Sequence, residues 1–95
     1  MLFLVVQTHS HEHCPAHKPE AMATIMKAMG DAQQHGVKIV ASYIDSPAHT
    51  NFIVLETDSA DKLQRFFDPM LDHFNCAIHP VVDTMAAFTR LQKEN

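Results

Sequence analysis

Five imidazole and thiol side chains crowd one short stretch of the chain: His9, His11, His13, Cys14 and His17. Imidazole and thiolate are the donors that borderline and soft divalent metals prefer, and two to four of them converging on a point hold zinc, copper, nickel or iron. In extended backbone His9, His11 and His13 project to one side because side chains alternate with a period of two. Cys14 and His17 are three apart, the spacing a tight turn needs to bring two donors together. Three donors from this stretch plus His49 or His79 would complete a tetrahedron, and Glu12 could ligate or orient a histidine from outside. The candidate ligand set is therefore His9, His11, Cys14, His17 and His49, with the metal's identity open. H-x-H-x-H-C-x-x-H is not one of the well-defined zinc signatures, so spacing does not say which subset ligates. The plainer alternative is a solvated, His-rich loop that takes up metal adventitiously.

Individual residues carry alternatives of their own. His9 and His79 have apolar neighbours and could be hydrogen-bonded core or interface histidines, while His13 reads as surface. Cys14 stands between histidines and just before a helix, the kind of setting that makes a thiol reactive, so a thiol redox module using Cys14 is a further reading. Cys76, beside Ala77 and Ile78, reads as a small packed hydrophobe. The methionines of the first helix could be copper(I) ligands, but their stripe spacing favours core filling. Glu56 and Asp83 could form an acid-base pair if desolvated, with solvation at a strand edge the plainer reading. No phosphate loop, dinucleotide glycine pattern or serine-nucleophile motif occurs.

Composition narrows the classes. Ninety-five residues allow one domain, 1–95, and 46% apolar against 19% charged residues calls for a packed core. Seven Lys and Arg against eleven Asp and Glu leave a charge of −4, which removes the attraction on which nucleic-acid binding depends. The apolar opening Leu2 to Val6 is shorter than a signal-peptide core, and no run approaches the ~20 apolar residues of a membrane span. A cytoplasmic protein with no nucleic-acid or membrane partner is expected. Two cysteines without a secretory signal are expected to stay reduced.

The elements that must position these donors follow from patterning. Residues 2–9 read as a strand of β-branched and aromatic residues. Pro19-Glu20 opens a helix running to about residue 35, with Met22, Ile25, Met26 and Met29 as its apolar stripe and Gly36 as its stop. Val37 to Asp45 and Asn51 to Thr57 should form an antiparallel hairpin about the turn 46–50. Asp58 or Ser59 caps a second helix bearing Ala60, Leu63, Phe66 and Phe67, which Pro69 ends, and Asp68 caps a short segment to about Phe74. Cys76 to Asp83 make a fourth strand, and Thr84 caps a last helix with Met85, Phe88 and Leu91 in line, fraying over Gln92 to Asn95.

This order, βαββαβ plus a helix, is the ferredoxin-like α+β pattern: a four-stranded antiparallel sheet of order 4-1-3-2, two helices on one face and an extra C-terminal helix. Tracing the chain puts the residues after strand 1, the hairpin turn and the start of strand 4 at one end of the sheet. Seven of eight histidines, all but His35, and both cysteines then gather there, with His79 a pleat lower. Both sheet faces are apolar, and one helix layer covers only one of them. The other would expose on the order of several hundred Å² of apolar surface, so a homodimer through the open sheet face is expected, unless the C-terminal helix folds over it.

The opening Met1-Leu2-Phe3-Leu4-Val5-Val6-Gln7-Thr8-His9 with Cys14-Pro15, the hairpin from Gly36-Val37 through Pro47, and the ending His79-Pro80-Val81-Val82 resemble small uncharacterised ferredoxin-like proteins of the dimeric α/β-barrel superfamily. The resemblance spans nearly the whole chain. It implies the fold and the dimer and transfers no active site, because that superfamily includes monooxygenases, isomerase-like enzymes and members without an assigned activity. Two functional expectations result: a homodimer that binds a transition metal, and a small monooxygenase- or isomerase-like enzyme holding a small molecule in an apolar pocket between sheet and helices, with His9 or His79 as its acid-base group.

Overall fold

A computed structural model describes residues 1–94. Four strands, β1 (Leu2–Thr8), β2 (Lys38–Asp45), β3 (Thr50–Glu56) and β4 (Asn75–Val81), and three helices, α1 (Pro19–Gly30), α2 (Ala60–Phe67) and α3 (Thr84–Glu94), alternate as βαββαβα. Single 3₁₀ turns lie at His11–His13, Pro15–His17, Ala32–His35 and Asp68–Met70. The sheet order is β2-β3-β1-β4 with every neighbour antiparallel, which is the expected 4-1-3-2 read from the other edge.

Register separates the two faces. Phe3 lies opposite Leu55 and Pro80, and Val5 opposite Ile53 and Ile78. This face is sealed by Ala28, Ala32, Leu63, Phe66, Phe67, Met70 and Phe74, and each large side chain so buried contributes ~1.5–3 kcal/mol. Leu2, Leu4 and Val6 point the other way, beside Val54, Phe52, Ala77, His79 and Val81. The last helix does not cover that side. Its Met85, Phe88 and Leu91 are 68%, 57% and 46% exposed, as is Tyr43 of β2 at 71%. The Cα radius of gyration is 15.3 Å, against ~12 Å for a compact chain of this length.

Several boundaries differ from those the sequence predicts. Strand β1 stops at Thr8 rather than His9, because its partner-to-be, His49, turns into the left-handed region at φ 50°. Helix α1 stops at Gly30, not residue 35, since Asp31 leaves helical geometry (φ −91°, ψ 7°) and the chain tightens into the Ala32–His35 turn. Glycine, a poor helix former, at the helix end explains the break, while the Asp31 carboxylate accepts from Lys27 Nζ at 2.8 Å. The buried arc of α1 is also turned from the predicted stripe: Ala21 and Ala28 are buried, Ile25 and Met29 pack partly, and Met26 faces water. Strand β2 begins one residue late because Val37 drops into the core, its N–H donating to the Ala32 carbonyl at 3.1 Å. Strand β4 ends at Val81, opposite Leu2, where β1 has no further residue to pair. Asp83, not Thr84, caps α3, its Oδ2 accepting from the Ala86 N–H at 3.0 Å. The segment after Asp68 is only a 3₁₀ turn to Met70, and α3 is helical through Glu94, while Asn95 lies outside the described residues.

Candidate metal centre

Period two carries the buried face of β1 through Phe3, Val5 and Gln7, and His9 is next on it. Gln7, 1% exposed, donates through Nε2 to Met70 Sδ at 3.7 Å and Cys76 Sγ at 3.6 Å, and its Oε1 accepts from Asn51 Nδ2 at 3.4 Å. Sulfur is a weak acceptor, so this amide forms a stiff but poorly satisfied floor beneath the histidines. Burial pushes the Cys76 thiol up, against a smaller opposing effect of the Gln7 hydrogen bond, which fits the expectation of a packed thiol.

The β2–β3 turn brings in the second histidine. Its backbone closes with the His49 N–H donating to the Ser46 carbonyl at 3.0 Å, the Ala48 N–H to Asp45 Oδ1 at 3.3 Å and the Thr50 hydroxyl to the Ala48 carbonyl at 2.9 Å. His49 closes the turn in the left-handed region, which costs a residue with a side chain roughly 1–2 kcal/mol. The result is a direct meeting of rings. His49 Nδ1 lies 3.0 Å from His9 Nε2, the rings nearly perpendicular at 84° with centroids 4.9 Å apart. His11 Nδ1 lies on the far side, 3.5 Å from His49 Nε2.

Cys14 arrives from the other direction. The His11–His13 turn hands the Cys14 N–H to the His11 carbonyl at 3.4 Å, and buried Pro15 anchors the chain immediately after the cysteine. One donor atom each from His9, Cys14 and His49 then lie within 4.8 Å of one another. Tetrahedral coordination at ~2.0–2.3 Å spaces donors about 3.3–3.8 Å apart, between the 3.0 Å that separates the two imidazole nitrogens and the 4.8 Å that bounds the whole group. The three residues line a cavity of about 270 Å³ whose other walls include Met22, Ile25, Ile44 and Phe74. Burial, then the neighbouring His49, lower the His9 pKa below 6.5, so at neutral pH the ring is in the uncharged form a metal requires. His9 Nδ1 is itself buried without a hydrogen-bond partner, a defect that costs ~1–3 kcal/mol while it stays unpaired.

The other histidines are dispersed. His17 lines a separate, shallower groove of about 750 Å³ with His73, Lys18 and Glu20. His13 Nδ1 is engaged by the Ser10 hydroxyl at 2.6 Å. His79, opposite Leu4, is on the open sheet face and turned from the cavity. Cys14 and Cys76 are both free thiols. Sequence reasoning missed Gln7 and Asn51 as the polar floor and Met22 as a cavity wall. Gln7 left a signal, a polar residue at the period-two position between Val5 and His9, whereas nothing in the spacing distinguished Met22 from the methionines after it.

Sheet order, helix placement and register define a ferredoxin-like α+β fold. Residues 1–95 match the family described as Domain of unknown function (DUF3303), and the chain belongs to it. No curated protein matches it in sequence. Among solved structures it is similar to SCO4226 from Streptomyces coelicolor A3(2), with 15% identity, 88% of this chain and 99% of that one covered, and a TM-score of 0.61. It is also similar to a Deinococcus radiodurans protein named as a putative antibiotic biosynthesis monooxygenase, at 15% identity, 88% and 95% coverage and a TM-score of 0.51. A protein named as an antibiotic biosynthesis monooxygenase matches at 10% identity, 87% and 100% coverage and a TM-score of 0.54. At such identities the likeness concerns the fold. No helix among the described residues is long and apolar enough to cross a membrane.

Proposed function

We propose that the chain is a single ferredoxin-like domain that works as a homodimer and binds a transition metal through His9, Cys14 and His49. The observation that carries this reading is the convergence of two imidazole nitrogens and a thiol within 4.8 Å, from residues that line one cavity. A hydrogen-bonded pair of rings with a thiol beside it is a natural ligand set once the proton between the rings moves to the far nitrogen of its ring, and uptake of the ion as a thiolate complex releases the Cys14 thiol proton. His11 backs His49 and can exchange with it as a ligand, and His17 joins only if the loop before α1 rearranges. Metal analysis of protein made without a His-tag tests the reading, beside the Cys14→Ala and His49→Ala variants. About one ion per chain in the parent and a loss of it in both variants is expected. Substoichiometric metal that neither change affects overturns it.

One observation favours a second reading. The cavity beside His9 is largely apolar, and two structural neighbours are named as monooxygenases. A small monooxygenase- or isomerase-like enzyme would hold an apolar substrate there with His9 as the acid-base group. An apolar ligand bound equally well with and without a chelator supports that reading over the first. The homodimer is supported by the uncovered apolar sheet face and by the exposed stripe of α3.

A further inference from the structure

We propose that the ion this centre selects is cuprous copper, with the thioether of Met22 as a fourth donor. The inference rests on the metal-binding reading above and names its metal. Met22 lines the same cavity as His9, Cys14 and His49, although its place in the α1 stripe reads as core filling by spacing. The three methionines divide: Met29 packs against the core, Met26 faces water, and Met22 alone of them borders the histidines. The cavity thus offers two imidazoles, one thiol and one thioether. No carboxylate lines it among the described residues.

That donor set discriminates. Zinc sites draw on Cys, His and carboxylates, and hard cations need oxygen. Thioether and thiolate sulfur together favour Cu(I), and apolar walls such as Ile25, Ile44 and Phe74 suit a soft ion of low charge better than a strongly hydrated one. Met22 is unbranched and half-buried, with the torsional freedom to swing its sulfur toward the other donors.

The test compares Cu(I), delivered anaerobically from a colorimetric chelator complex, with Zn(II) in the untagged parent and in Met22→Leu, a change of similar volume. The parent is expected to take one Cu(I) with two sulfur neighbours by X-ray absorption. Met22→Leu should retain one sulfur neighbour and lose about tenfold in Cu(I) affinity, with zinc affinity and metal-free melting temperature unchanged. One sulfur neighbour in both proteins, an unchanged Cu(I) affinity in Met22→Leu, or tighter zinc than copper binding overturns the copper assignment. If zinc or copper is still held by Cys14 and His49, the broader metal reading survives that result. If neither ion is held, both fail.

Discussion

His9 and His49, forty residues apart in the chain, meet with Nε2 and Nδ1 at 3.0 Å. Only one hydrogen fits between two such nitrogens, so at most one ring donates and the other must be unprotonated there. Burial resists charging of His9, and charging both rings would in addition set like charges at contact distance.

The pair therefore makes the metal-free fold acid-sensitive. The unfolded chain protonates His9 near 6.5, and the folded chain only at a lower pH. Folding stability is full above 6.5, declines as the pH falls toward the depressed folded value, and levels off below it. The drop in melting temperature between pH 7.5 and 5.5 should be smaller in His9→Gln than in the parent. An equal drop in both would show that the histidine pair does not control this transition.

The two thiols should behave differently toward an alkylating agent. Cys76 is half-buried with its thiol pushed up by burial, whereas Cys14 opens onto the cavity. At pH 8, peptide mass spectrometry should find Cys14 modified first and Cys76 only slowly. Saturating metal should protect Cys14. Prior modification of Cys76 would contradict the placement of both.

Two substitutions calibrate the fold that carries the site. Leu55 is fully buried, so Leu55→Ala should cost ~2–5 kcal/mol in urea unfolding. Gly36 sits at φ 75°, and a Cβ there would come 2.7 Å from Lys62 Cδ. That side chain can move, which leaves backbone strain of about 1 kcal/mol for Gly36→Ala. A larger loss from Gly36→Ala than from Leu55→Ala would mean that this packing description is wrong.

Phe88 of α3 and Phe52 of the open sheet face are exposed within one chain. If a second copy covers them, Phe88→Asp and Phe52→Asp should each convert a dimer to monomer by sedimentation while the protomer stays folded. A parent chain that sediments as a monomer at all concentrations removes the dimer.

Most of the architecture was legible from pattern alone. Alternation in β1 and β3, Pro19 at a helix start and Pro69 at a helix end are local signals, and the topology follows from their order, whereas Gly36, read as the stop of α1, closes the turn after it. The site was legible only by region. Strand connectivity places His9, Cys14 and His49 at one end of the sheet, but separating them from His17 and His79 requires side-chain direction. The pairing of His79 with Leu4 turns it to the open face, and the turn at Pro15–His17 carries His17 into a different groove. Met22 was not legible as a cavity residue because helical spacing records only which residues share a stripe, and the observed arc of α1 is rotated from that stripe.

The tight reversal Ser46–His49 acts as a ruler. Its left-handed final residue puts the His49 ring one rung beyond the Thr8–Thr50 pair, against the ring of His9, the residue that follows β1. One residue more or fewer in that reversal would leave the strands zipped but swing the imidazole to the opposite side of the sheet. Chemistry at this end of the molecule is therefore tied to an integer, the length of a four-residue bend, as well as to the imidazole that closes it.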